Sequence, residues 1–152
     1  MGNVMDYLEW RGDLTFDQSP FNDVDNVILS QLAYVNFRDV IPSVQMNKGI
    51  TLKAAAQLFF DLHTEEELMQ DKSFIKDAPK LLKKAAQTNR FRDVILSDYV
   101  DMVDETLEKQ FGAFHIKLSP QCTYVAFRGT DDTLVGWKED FNMSFISPVP
   151  SQ

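Results

Sequence analysis

Near the C-terminus, Val125-Ala126-Phe127 runs directly into Arg128-Gly129-Thr130-Asp131-Asp132, and Trp137 and Asp140 follow. An apolar β-type run delivers its last residue to the C-terminal edge of a sheet, the usual place for ligands in open α/β sheets. Gly129 allows the backbone to turn sharply there. Thr130, Asp131 and Asp132 then fall in a loop that leads into a helix expected around Val135–Phe141. The first N–H groups of such a helix lack intrahelical partners and sit at its positive dipole end. Donors so placed stabilise a developing oxyanion, and loss of one typically costs about 2.7–4 kcal/mol in the transition state. Trp137 and Asp140 share a helix face, the aromatic placed to pack under the loop and the carboxylate to hold Arg128 or loop N–H groups.

Other residue types offer weaker chemistry. Asp131-Asp132 lacks the spacing of a phosphoryl-transferring Asp-x-Asp site, because Thr130 occupies the place of the first acid; adjacent carboxylates point apart and read as a solvated loop or helix cap. His63 stands among Asp61, Glu65, Glu66 and Glu67 and reads as a solvated helix start rather than a metal ligand. His115 alternates away from Phe114 and Ile116 and has no nucleophile beside it in sequence, so it reads as a surface or sheet-packing residue. Cys122, the single cysteine, opens a strand and reads as a small packed residue. Neither a metal nor a cofactor site is expected.

The elements that must position the corner are legible in outline. Met1 to Gly12 reads as a short helix docking through its aromatics. Asn22 or Asp23 caps a second helix that places Val24, Val27, Ile28, Leu32 and Val35 on one face and ends before Pro42. Thr51 caps a third helix through Phe60, Thr64 with Glu67 forms a capping-box pattern, and Asp77 to Asn89 is amphipathic with Pro79 in its first turn. After Arg90 the pattern changes. Val94–Leu96 and Tyr99–Val103 suggest strand, although LSDYVDMVDETL also fits a helix. Phe111–Leu118 and Cys122–Phe127, joined by Ser119-Pro120-Gln121, form a β-hairpin. The chain thus reads as a single domain over 1–152, helical over about 1–92, with the start of a sheet and one helix over 93–146.

Composition limits the partners. The 152 residues are 44% hydrophobic and 25% charged, an ordinary globular balance, and the net charge of −8 disfavours nucleic acid. One cysteine permits no internal disulfide and fits a cytoplasmic location. The N-terminus lacks a signal-peptide pattern, and no apolar run approaches the roughly 18 residues that would span a bilayer. Arg11-Gly12-Asp13 and Asn142-Met143-Ser144 match an integrin-type tripeptide and a glycosylation sequon; both are void in a cytoplasmic protein.

Phe-Arg-Gly-Thr followed by Trp137 and Asp140 resembles the RG(S/T)…W..D signature of class 3 lipases. DYLEWRGDL with PFNDVDNVILSQLAYV, taken with FRGTDDTLVGWKEDFNMSF, is similar to the Mbeg1-like group of lipase-like bacterial α/β-hydrolases, from about residue 3 to the end. The resemblance implies an α/β class: an incomplete α/β-hydrolase fold, N-terminal helices followed by a small, mostly antiparallel sheet. It implies a Ser-His-Asp hydrolase of a small-molecule or lipid ester, with Thr130 and Asp131 as oxyanion-hole donors and Arg128, Gly129, Trp137 and Asp140 in support. No serine lies in a Gly-x-Ser-x-Gly context, so the chain is expected to stop before the nucleophile and to be inactive alone. A second expectation, of another class, is a non-catalytic module that oligomerises through an open sheet edge.

Overall fold

The computed structural model describes residues 3–70, 77–104, 106 and 109–128. Five helices and one four-stranded sheet are built from them: α1 Val4–Arg11, α2 Asp23–Leu32, a 3-10 turn at Val44–Met46, β1 Gly49–Thr51, α3 Leu52–Leu62, α4 Glu65–Gln70, α5 Ala78–Ala85, β2 Ile95–Asp104, β3 Lys109–Ser119 and β4 Cys122–Arg128. The strand order is β1-β2-β3-β4, and every pairing is antiparallel. Among the described residues no helix is long and apolar enough to cross a membrane.

The helix starts obey their caps. Asn3 and Asn22 each accept two backbone N–H bonds, and Asp6 and Asp25 close reciprocal capping boxes. Thr51 Oγ1 accepts from Ala54 N at 3.2 Å, and Thr64 Oγ1 accepts from Glu67 N at 3.2 Å. α2 stops at Leu32 rather than running on towards Pro42. Asn36 Oδ1 accepts from Arg38 N at 3.1 Å and starts a separate turn, whose Phe37, Val40 and Ile41 are all buried. α5 also ends earlier than its pattern suggests, at Ala85.

Two expected faces are corrected. In α1 the buried residue is Leu8; of the two aromatics expected to dock, Tyr7 packs half-buried against the core, whereas Trp10 is 74% exposed. In α2, Ile28, Leu29 and Leu32 are buried but Val24 and Val27 are exposed. The cause is Asp25, which is turned inward. Its carboxylate accepts from Arg90 Nε at 2.8 Å and from the Tyr7 hydroxyl at 3.1 Å, and both Asp25 and Arg90 side chains are fully buried. Arg90 also donates to the carbonyls of Leu14, Ser19 and Pro20 and lies over the Phe16 ring. One guanidinium therefore ties the 14–20 loop, α2 and the segment after α5 together. Asp25 holds the Arg90 pKa above its ordinary value, against burial, which lowers it.

The core lies between the helices and one face of the sheet. Leu96, Phe114, Ile116 and Ala126 point into it, and Phe114 meets Phe37 edge-on at 5.4 Å. The stretch that fitted either helix or strand is β2, and its register carries a bulge. Ser97 stands opposite His115 and Val100 opposite Ala113, so β2 holds one extra residue there, with Asp98 at φ 58°. β1, absent from the sequence reading, pairs Gly49–Thr51 with Ser97–Ile95.

Candidate functional site

The corner singled out in the sequence begins at the end of β4. Gly129, Thr130, Asp131, Trp137 and Asp140 lie outside the described residues. Arg128 is described, and its surroundings are built by the two neighbouring strands. Gly112 of β3 stands opposite Arg128, and Asp101 of β2 stands opposite Gly112. Arg128 Nη2 donates to Asp101 Oδ1, while Arg38 Nη2 donates to Asp101 Oδ2 at 3.1 Å. The Arg128 chain lies flat across Gly112: a Cβ added at Gly112 would come within 3.1 Å of Arg128 Cβ and 3.2 Å of Nε. Arg128 Nε is buried there without a hydrogen-bond partner among the described residues.

The chemistry of this node is positional. Each oxygen of Asp101 accepts one guanidinium N–H, so the carboxylate holds two arginines at once. Tyr99, on the same strand, has its pKa pushed up to about 12 by burial and by the Asp101 charge, and it stays a neutral phenol. Arg38, Asp39, Val40, Pro42, Tyr99 and Asp101 line a cavity of about 530 Å³ beside it. The cavity wall contains the carboxylate that holds Arg128. No nucleophile-base pair stands in it among the described residues.

A second polar group sits at the bulge. His115 Nδ1 donates to Asp98 Oδ2 at 2.8 Å, and Ser97 Oγ donates to the same oxygen at 3.1 Å. The three residue types are those of a hydrolase triad, but the aspartate stands in the middle and the serine does not bond the imidazole, so no described residue activates Ser97 as a nucleophile. His115 is surface-exposed, as its alternation indicates, with a partner the sequence reading did not identify. His63 Nδ1 donates to the Phe59 carbonyl at 2.9 Å and its ring stacks on Phe59. No group of side chains with metal-holding geometry occurs among the described residues. Cys122 is exposed, not packed.

Sequence reasoning missed Asp101 and Arg38. In β2, strict alternation counted from buried Leu96 turns Val100 inward and Asp101 outward; the bulge reverses this and brings Asp101 beneath Arg128. Asp101 is one of three aspartates in β2, with Asp98 and Asp104, so its residue type alone does not single it out.

No curated protein and no solved structure is significantly similar to the chain. The N-terminal stretch that carries part of the resemblance, DYLEWRGDL with PFNDVDNVILSQLAYV, lies outside the matched region. Residues 85–152, from the last residue of α5 through Arg90, the three long strands and the Arg-Gly-Thr corner, match the family model described as Mbeg1-like.

Proposed function

We propose that this chain carries the oxyanion-hole corner of a serine esterase of the lipase-like α/β-hydrolase type and is inactive alone. The observation that supports the reading is the anchoring of Arg128 by Asp101 across Gly112. It gives the backbone a fixed point of departure immediately before Gly129 and Thr130. Oxyanion donors act only when their direction is held before the reaction begins, since reorganisation at that moment would consume the gain. In this proposal the N–H groups of Thr130 and Asp131 polarise the carbonyl of a small-molecule or lipid ester, and Trp137 and Asp140 support the loop. The reaction needs a nucleophile, base and orienting acid beyond this sequence, so hydrolysis by the chain alone is negligible. The single, exposed Cys122 agrees with a cytoplasmic setting.

The test is p-nitrophenyl butyrate hydrolysis by the 152-residue chain and by the product of the coding sequence read past Gln152. The chain alone should show no turnover. The longer product should hydrolyse the ester, and Thr130→Pro, which deletes one N–H, should lower kcat by about 10²–10³-fold. Turnover by the chain alone, or an undiminished Thr130→Pro variant, overturns the assignment.

A second reading is favoured by one feature. β4 is an edge strand among the described residues, and its Val125 and Phe127 are 40% and 59% exposed. An apolar edge of this kind suits pairing with a second copy. A stop codon directly after Gln152, with a dimer in light scattering that Phe127→Lys dissociates, would select the interaction module instead.

A further inference from the structure

Away from the sheet corner, α3 and the end of α5 face one another across a groove with a cavity of about 400 Å³. Lys53, Gln57 and Phe60 lie at four- and three-residue spacing on α3, so they form one stripe. Lys83 and Gln87, four apart, form the opposing stripe, and Arg92 closes one end. The walls are fixed to each other. Lys53 N donates to the Arg92 carbonyl at 3.0 Å, Leu52 N donates to the Val94 carbonyl at 2.9 Å, and Leu52, Leu82 and Phe91 behind them are fully buried.

The charge in this groove runs against that of the molecule. The chain has 23 acidic and 15 basic residues. On α5 the two lysines that flank Lys83 each have an acid: Lys80 pairs with Asp77 at 3.6 Å and Lys84 with Glu9. Lys83, the one turned to the groove, instead lies 6.0 Å from the Phe60 ring centroid. Neither Lys53 nor Lys83 enters an ion pair among the described residues, none of the described lining residues is acidic, and Arg92 lies 3.4 Å from its sequence neighbour Asp93. Like charges held across a concave surface repel until an anion enters, and a concave basic surface within an acidic molecule focuses small anions while excluding polyanions.

We propose that this groove binds a phosphate monoester of a compact planar ring compound. Lys53, Lys83 and Arg92 supply donors for a dianion, and Gln57 and Gln87 supply amides for the polar edge of the ring. Phe60 supplies an apolar face for the ring to stack against. The volume is in the range of small-ligand sites, roughly 300–1,000 Å³. This site is independent of the ester reading: it uses none of the residues near Arg128.

Calorimetric titration of the 152-residue chain with AMP, adenosine and inorganic phosphate tests the proposal, with amide NMR shifts locating the site. AMP should bind with one-to-one stoichiometry and shift the side-chain amides of Gln57 and Gln87. Adenosine and inorganic phosphate should each bind at least about tenfold more weakly, one lacking the charge and the other the ring. Each of Lys53→Ala and Lys83→Ala should weaken AMP by about tenfold or more, the loss of one charge-assisted hydrogen bond. Lys53→Arg with Lys83→Arg should retain binding, and urea melts confirm that every variant is folded. Absence of AMP binding, equal affinity for adenosine, shifts elsewhere on the molecule, or unchanged AMP affinity in folded alanine variants would each overturn it.

Discussion

Asp25→Asn keeps the shape of the side chain and removes its charge, leaving the Arg90 guanidinium fully buried beside a neutral amide. In the native protein Asp25 receives Arg90 Nε at 2.8 Å, Arg90 Nη2 at 2.5 Å, the Tyr7 hydroxyl at 3.1 Å and Asn22 N at 3.0 Å. Arg90 keeps its carbonyl partners at Leu14, Ser19 and Pro20, which hold the cation in place without neutralising it. Breaking a buried pair from one side costs about 3–5 kcal/mol. That is a large share of the roughly 5–15 kcal/mol by which domains of this kind are stable. With a urea slope of about 2 kcal/mol per M, the midpoint should fall by about 1.5–2.5 M at unchanged slope. Asp25→Asn combined with Arg90→Met removes both charges, and it should be markedly less destabilised than the sum of the two single variants. The reasoning is refuted if Asp25→Asn costs less than about 1 kcal/mol, or if the double variant is additive within about 0.5 kcal/mol.

The same contacts give three further outcomes. Gly112→Ala sets a methyl group 3.1–3.4 Å from three atoms of Arg128, so urea melts should show a loss of about 1–3 kcal/mol, and an Arg128→Ala background, which removes the Nε and Cζ contacts but keeps Cβ, should relieve only part of it. Asp101→Asn should cost about 1.5–3 kcal/mol, nearly all through Arg128: the Arg38 side chain is 65% exposed and contributes little, so Arg38→Ala should be close to neutral. Tyr99 ionises near about 12 in the folded chain against 10.0 for the ordinary phenol. The unfolded state therefore releases its proton first. The Tyr99 contribution is complete below about pH 10 and is lost as pH rises towards 12, by an amount of order 2–3 kcal/mol. Wild type should lose stability over that window relative to Tyr99→Phe, as read by urea midpoints at each pH.

Helices and hairpin were legible because their signals are local. Asn22, Thr51 and Thr64 each cap the helix that begins at the next residue, and the run from Phe111 to Phe127 alternates around a Pro-Gln turn. The features that escaped were decided at long range. The face of α2 could not be read from Val24 and Val27, because the inward turn of Asp25 depends on Arg90, far along the chain. β1 is three residues long and forms only because β2 offers an edge. The docking residue of α1 is Leu8 rather than Trp10, since docking is set by where α2 and α5 lie and not by residue size. At the site, Arg128 was picked out by its neighbours in sequence, but its true partner stands two strands away.

The bulge at Asp98 connects these observations. A regular β2 would direct Val100 towards the core and Asp101 to the opposite face. Arg128 would then lie across Gly112 with its charge unmatched and partly buried, a situation costly enough to expel the side chain and free the backbone beyond it. One extra residue, held at φ 58° and bonded through its carboxylate to Ser97 and His115, inverts the alternation and supplies the missing charge. An aspartate accepts this left-handed backbone more readily than most residues, because a short polar side chain can bond locally. The polar cluster at Asp98 resembles catalytic residues in its composition, yet its physical effect is on register. It is the reason that Arg128, at the end of β4, is anchored.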